Sequence, residues 1–183
     1  MIPTLEWTDA GVRFLDQTKL PMEETYVLAK DYHAVAEVIR TMIVRGAPAI
    51  GVSAAMGVAL GLLRSQATDM KQLNKELNNI CETLAKTRPT AVNLFWGIER
   101  IRQLVHTLSQ ELGVTVAQIQ QEAVAEACRM YDEDIAACRA MGAHGAALLP
   151  AAGGVLTHCN AGALATCGYG TALGVIRAAV ERG

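Results

Sequence analysis

Gly153-Gly154-Val155-Leu156-Thr157-His158-Cys159-Asn160-Ala161-Gly162 is the stretch on which the fold turns. Val155 to His158 is a short apolar run behind a glycine pair, the pattern of a buried strand, and it leads into a Gly-rich loop. A helical period follows from about Tyr169 to Glu181. Strand, Gly-rich turn and helix make the opening unit of a doubly wound α/β domain. One strand cannot form a parallel sheet, because each further strand needs its own crossover. Residues 151–183 are therefore expected to be the start of an incomplete Rossmann-like domain, and the chain to be one half of a longer protein.

Working back from that stretch, residues 1–150 read as a separate β-meander and helical-bundle domain. Pro3, Gly11 and Pro21 punctuate short apolar pairs between residues 3 and 28, as in an antiparallel meander. From Asp31 the period becomes helical, with Val35, Val38, Ile39 and Met42 on one face, Asp31 as N-cap and Gly46 as the stop. Pro48 opens a second helix that runs to about Leu63. Met70 to Lys86 is a third, with Leu73, Leu77, Ile80 and Leu84 on its apolar face. Pro89 breaks the pattern, and Thr90 is placed to cap a helix from Ala91 to about Leu112. Thr115 caps a long helix to roughly Met141, where Gly142 ends it. The fold class expected is α/β overall: a small meander, a bundle with short connections, and the truncated Rossmann-like unit.

The composition narrows the function classes. The chain has 183 residues, 51% of them apolar and 19% charged, with a net charge of −2. The basic residues are dispersed, which argues against nucleic acid or an anionic membrane as partner. Ala47 to Leu63 carries no charge and contains Gly57 and Gly61 four apart. It falls short of the roughly 20 apolar residues of a membrane span, and its many Ala and Gly residues suit a tightly packed buried helix. No basic segment followed by an apolar one opens the chain, and the five cysteines lack paired spacing. Free thiols in a reducing cytoplasm are the expectation.

Cys159 stands where the expected strand meets the loop, the ligand-binding position of open α/β sheets. Gly162, Gly168 and Gly170 let backbone amides approach a ligand, and a following helix N-terminus favours thiolate chemistry. The pattern equally allows a small buried hydrophobe, the usual fate of Cys. His158 is adjacent, but neighbouring strand residues point to opposite faces, so it reads as a core or supporting histidine rather than a partner. Arg45-Gly46-Ala47-Pro48 sets a guanidinium before a helix start, an arrangement suited to phosphate, and also an ordinary inter-helix turn. Arg88 stands before a second helix start. Two such arginines in a chain sparing of charge suggest an anionic substrate. No C-x-x-C occurs, and His33, His106 and His144 fall in unrelated contexts, so no metal site is expected.

Several segments together carry a resemblance. They are Leu15 to Pro21, Val44 to Gly51, Thr87 to Leu94, Leu156 to Thr166 and Gly168 to Gly174. The chain resembles the methylthioribose-1-phosphate isomerases over essentially its whole length. The likeness extends more loosely to ribose-1,5-bisphosphate isomerases and to regulatory subunits of the translation initiation factor exchange complex. It implies a cofactor-free aldose–ketose isomerase of methionine salvage, acting on a phosphorylated sugar as a homodimer. It further implies that Cys159 is the thiol catalyst and that Arg45, Gly46, Ala47 and Arg88 hold the substrate. Asn160 and Gly162, in the same motif, join the substrate-binding candidates. Family members run to about twice this length, and their catalytic Asp lies in the part not matched here. Asp132 and Asp134 are read as solvated residues of the long helix. A non-catalytic regulatory subunit, a related sugar-phosphate isomerase and a Cys-dependent hydrolase are the rival readings.

Overall fold

Asp31, Asp69 and Thr115 each stand one residue before a helix and accept a backbone N–H from its first turn. The acceptances are Ala34 N to Asp31 at 2.8 Å, Gln72 N to Asp69 at 2.8 Å and Gln118 N to Thr115 at 3.3 Å. Each satisfies a donor that the helix itself leaves open. Gln118 returns the favour by accepting the Thr115 N–H at 2.8 Å, which completes a capping box. The computed structural model describes residues 3–183. Three strands come first: β1 Leu5–Thr8, β2 Gly11–Leu15 and β3 Tyr26–Ala29. Six helices follow: α1 Tyr32–Arg40, α2 Ala47–Leu63, α3 Met70–Ala85, α4 Val92–Leu108, α5 Val116–Ala146 and α6 Ala172–Arg182. A 3-10 turn, Ala163–Ala165, precedes α6.

The meander is present as expected, in the order β1-β2-β3 and antiparallel throughout. Its register puts Leu5 opposite Phe14 and Trp7 opposite Val12, so one face is apolar and packs on the helices. The other face carries Glu6 and Arg13, ion-paired at 2.8 Å.

Helix α2 is buried on every side, and α1, α3, α4 and α5 surround it. Its small residues permit this. A Cβ at Gly57 would meet Val35 at 2.9 Å and Leu84 at 3.2 Å, and one at Gly61 would meet Ile80 at 2.8 Å. The apolar run is thus the axis of a bundle. Among the described residues, no helix is long and apolar enough to cross a membrane.

The structure corrects four expected boundaries and one element. Helix α1 stops at Arg40, not Gly46, because Met42 takes a left-handed φ of 63°. Met42 N then donates to Ile39 O and Ile43 N to Val38 O, the paired bonds of a Schellman end. Helix α4 begins after Ala91 without a side-chain cap, so Thr90 does not serve. It ends at Leu108, where Ser109 Oγ turns back to Val105 O and 3-10 bonds close the chain. Helix α5 continues through Gly142 to Ala146. That glycine is a packing residue rather than a stop: a Cβ there would lie 2.9 Å from Gly174 O and 3.2 Å from Ala178 Cβ on α6.

Val155 to His158 is not a strand. Among the described residues, the only sheet is the three-stranded meander, and no strand lies beside this segment. A strand's backbone donors and acceptors need a neighbour, and its apolar side chains need a face to cover them. Here Leu156 is 97% exposed and Val155 51%. Residues 151–160 accordingly run as irregular chain. The mixed α/β character stands, carried by the meander and the helices.

Candidate active site

Arg45, Gly46, Ala47 and Pro48, at the start of α2, share a cavity of about 420 Å³ with Cys159, Asn160, Ala165, Thr166 and Thr171. The volume lies in the range of small-molecule sites. The N-terminus of α2 opens on it. The first-turn amides of Ala47 and Ala49 have no acceptor within α2, and Pro48 has no N–H to satisfy. Thr171, the residue before α6, also lines the cavity, while Ala161 O takes the N–H groups of Thr171 and Leu173. Helix N-termini carry partial positive charge, and the exposed Arg45 adds a full one, so the cavity suits an anion.

Gly46 is required at this place for two reasons. Its φ is 95°, a left-handed conformation that side chains disfavour. A Cβ there would also run into the Cα, carbonyl and Cβ of Ala165. The backbone of the Arg45 turn therefore touches the backbone of the 3-10 turn. This contact brings the two halves of the cavity together.

Cys159 is exposed, with a left-handed φ of 61°. Non-glycine residues in that region hold some strain, and such residues concentrate at functional sites. The alternative of a buried strand cysteine is thereby overturned for position 159. The other thiols are buried or half-buried: Cys81, Cys138 and Cys167 lie in the interior, and Cys128 is partly covered. His158 is exposed and does not line the cavity, so it is not the core histidine expected.

Below Cys159 the chain makes a polar knot. Asn160 Oδ1 accepts the Gly162 N–H at 3.2 Å. Thr166 Oγ1 accepts the N–H groups of Gly168 and Gly170, at 3.2 and 3.0 Å. Asp134 Oδ2 accepts the Cys167 N–H at 2.7 Å. Burial, first, and then the Asp134 carboxylate push the Cys167 thiol far above the ordinary thiol range, so it stays protonated. Asp134 is thus no solvated residue of the long helix. It anchors the site from α5, and position on an amphipathic pattern alone could not reveal this.

The remaining candidates separate. Gly162 is buried beneath the loop, where Ala165 N donates to its carbonyl, and it does not line the cavity. Arg88 does not line it either. It stands in the turn before α4, whose Asn93 and Trp96 press on Gly51, one turn inside α2. Among the described residues, no three His, Cys, Asp or Glu side chains are grouped to hold a metal ion.

Comparison with known proteins matches this architecture. The chain is 58% identical over 183 residues to a methylthioribose-1-phosphate isomerase of Koribacter versatilis, covering all of this chain and 51% of that protein. It is 54% identical over 180 residues to the same enzyme of Geobacter metallireducens, covering 98% and 51%. The crystal structure of 5-methylthioribose 1-phosphate isomerase from Pyrococcus horikoshii superposes with a TM-score of 0.92 at 40% identity, over all of this chain and 50% of that one. The delta subunit of the translation initiation factor eIF-2B from A. fulgidus superposes at 0.87, also at 40% identity, over all of this chain and 52% of that one. The chain thus spans about half the length of the curated relatives it matches. The model of the initiation factor 2 subunit family matches residues 43–183, from just before the Arg45 turn through the Cys159 loop to α6. The chain belongs to the initiation factor 2 subunit family.

Proposed function

We propose that this chain carries the thiol and the phosphate-binding turn of an isomerase that converts 5-methylthioribose 1-phosphate to 5-methylthioribulose 1-phosphate in methionine salvage. The observation that carries the reading is the shared cavity of Arg45, Gly46 and Ala47 with Cys159 and Asn160. The names of the relatives from Koribacter and Geobacter support the same substrate.

In this reading the Arg45 guanidinium and the Ala47 amide take the phosphate, with Arg88 reaching in from the turn before α4. Asn160 holds the sugar against Cys159, and Gly162 supports it from the interior by donating its N–H to Asn160 Oδ1. The reaction needs no outside oxidant. C2 gives up hydrogen and its hydroxyl becomes a carbonyl, C1 gains hydrogen, and the ring oxygen takes a proton as its bond to C1 opens. The Cys159 thiol exchanges a proton with the reacting carbons, a role worth about 10²–10⁴-fold in rate for a well-placed acid or base. The complementary acid, a carboxyl group, comes from the half of the relatives' length beyond this match, to which residues 151–183 lead as the opening of a Rossmann-like unit. Residues 1–150 form the other domain. The enzyme works in the cytoplasm as a homodimer and without a cofactor.

A second reading has its own support in the superposition on the initiation factor subunit. In that reading this chain is part of a non-catalytic regulatory subunit.

One assay separates them. Ketose formation from 5-methylthioribose 1-phosphate is measured with this chain, with the remaining half of the Koribacter relative added, and with the Cys159→Ser chain in the same mixture. Activity is expected only in the mixture, and a loss of at least about 100-fold with Cys159→Ser. Turnover by the chain alone, or near-normal turnover by Cys159→Ser, overturns the proposal.

A further inference from the structure

The cavity works only if the Arg45 turn and the Cys159 loop keep a fixed separation, yet they lie far apart in the sequence. Their direct contact, Gly46 against Ala165, is a close packing of one backbone on another. A second connection comes from the meander. Gln17, just past β2, is 3% exposed and bonds in two directions. Its backbone N–H donates to Ile43 O at 3.1 Å, two residues before Arg45. Its side-chain Nε2 donates to Leu164 O at 2.8 Å, in the 3-10 turn below Cys159.

The surroundings hold Gln17 itself in place. Asp16 Oδ1 accepts from Thr18 N at 3.0 Å and from Thr18 Oγ1 at 2.6 Å, closing a turn around it. Thr4, fully buried, donates from Oγ1 to Ala163 O at 2.9 Å, the carbonyl next to Leu164's. Leu15 N in turn donates to Thr4 O at 3.0 Å. Two residues that flank the meander strands, Thr4 and Gln17, thus grip two consecutive carbonyls of the 3-10 turn, and Gln17 also grips the segment leading to Arg45. Buried polar groups of this kind are expensive to leave unpaired, so the pair of bonds resists sliding of one loop past the other.

We propose that Gln17 is a positioning residue that sets the separation between the anion-binding turn at Arg45 and the Cys159 thiol. Gln17 does not line the cavity and touches no substrate in this reading. It rests on the anion site proposed above.

The test follows the protection of Cys159 by an anion. The rate of Cys159 alkylation by a maleimide, read by peptide mass spectrometry, is measured against sulfate concentration, since sulfate remains a dianion across the pH range used. In the unaltered protein sulfate should slow alkylation. Gln17→Met keeps the length and the backbone N–H but loses the side-chain donor. It should raise the half-protecting sulfate concentration about tenfold, the scale of one buried hydrogen bond. Gln17→Glu adds a second arm. A buried carboxyl is protonated more readily than a free one, and its O–H can then donate to Leu164 O. Protection in Gln17→Glu should be weak at pH 8 and return to within about twofold of the unaltered protein at pH 5. An unchanged half-protecting concentration in Gln17→Met, alongside a lowered Tm, makes Gln17 merely structural and overturns the proposal. If Gln17→Met does not fold, protection in Gln17→Glu that ignores pH overturns it instead. Sulfate that fails to protect the unaltered protein removes the anion site, a failure distinct from that of Gln17.

Discussion

Helix α2 and the turn from Ala161 to Gly170 are both largely buried, but different forces hold them. Helix α2 satisfies its own backbone through its helical bonds and offers apolar side chains to four neighbours. What fixes it is shape, above all the small residues that let other helices come close. The turn has no ladder for its backbone. Buried N–H and C=O groups there must find side chains, and Thr4, Gln17, Asp134 and Thr166 meet that need. The bundle is therefore sensitive to added volume. The turn is sensitive to the loss of single polar atoms, and the site lies where the two meet.

The largest effect should come from volume at the bundle axis. A Cβ at Gly97 would strike the Gly51 carbonyl, where α4 crosses α2 backbone to backbone. Gly97→Val should cost about 3 kcal/mol, the upper part of the usual range for overpacking, and lower Tm by about 6–12 °C. Thermal unfolding followed by circular dichroism checks it. A loss under about 1 kcal/mol would mean that the close crossing does not secure the bundle.

Next comes a change of polarity without a change of shape. Thr166→Val leaves Gly168 and Gly170 N–H without their acceptor and removes the bond to Ala163 O. A cost of about 1–3 kcal/mol is expected. Amide exchange should rise at Gly168 and Gly170 while α2 stays protected. Equal loss of protection in both regions would erase the distinction drawn between them.

Asp134→Asn should do less, about 1 kcal/mol or below, because an amide oxygen still accepts the Cys167 N–H. Removing the carboxylate charge should bring the Cys167 thiol down from its raised value, although burial, the larger cause, remains. Asp134→Ala, which lacks the acceptor, should cost more and expose Cys167 to alkylation. If the two variants behave alike, the hydrogen bond is not what anchors the turn.

The smallest effect concerns acid. Burial alone would raise Glu126, but hydrogen bonds from Arg129 and Arg100, across α4 and α5, outweigh it and hold the carboxyl below the ordinary range. A depressed carboxylate stabilises the fold in full above its unfolded value of about 4.3, and that contribution fades as pH falls through the lower folded value. Glu126→Gln should therefore flatten the acid limb of the stability profile and cost about 1 kcal/mol at neutral pH. Urea unfolding from pH 3 to 7 reads both, and an unchanged acid limb would sink the assignment.

Much of the bundle was legible because helices are written locally. Apolar residues three and four apart and side-chain caps at Asp31 and Thr115 marked α1 and α5, and the uncharged run with its two spaced glycines marked a buried axis. The boundaries that slipped, at Met42, Leu108 and Ala146, depend on left-handed caps, fraying turns and a neighbour helix, which no local pattern records. Arg45 and Cys159 were legible as candidates, and the structure brings both to one cavity. The supports were not: Gln17, Thr4 and Asp134 look like ordinary polar residues until the chain brings them to the turn.

By itself the amino-acid sequence determined the helices, the meander and the residue types of the proposed anion-and-thiol site, because periodicity, caps and turn chemistry act over a few residues. Only the tertiary structure decided that Val155 to His158 would not pair as a strand, since a strand exists only beside another. It also decided that Gly46 would lie on Ala165, and that Asp134 would hold the Cys167 N–H. Those are contacts between segments remote in the chain, fixed by packing and by the cost of leaving buried polar groups unpaired.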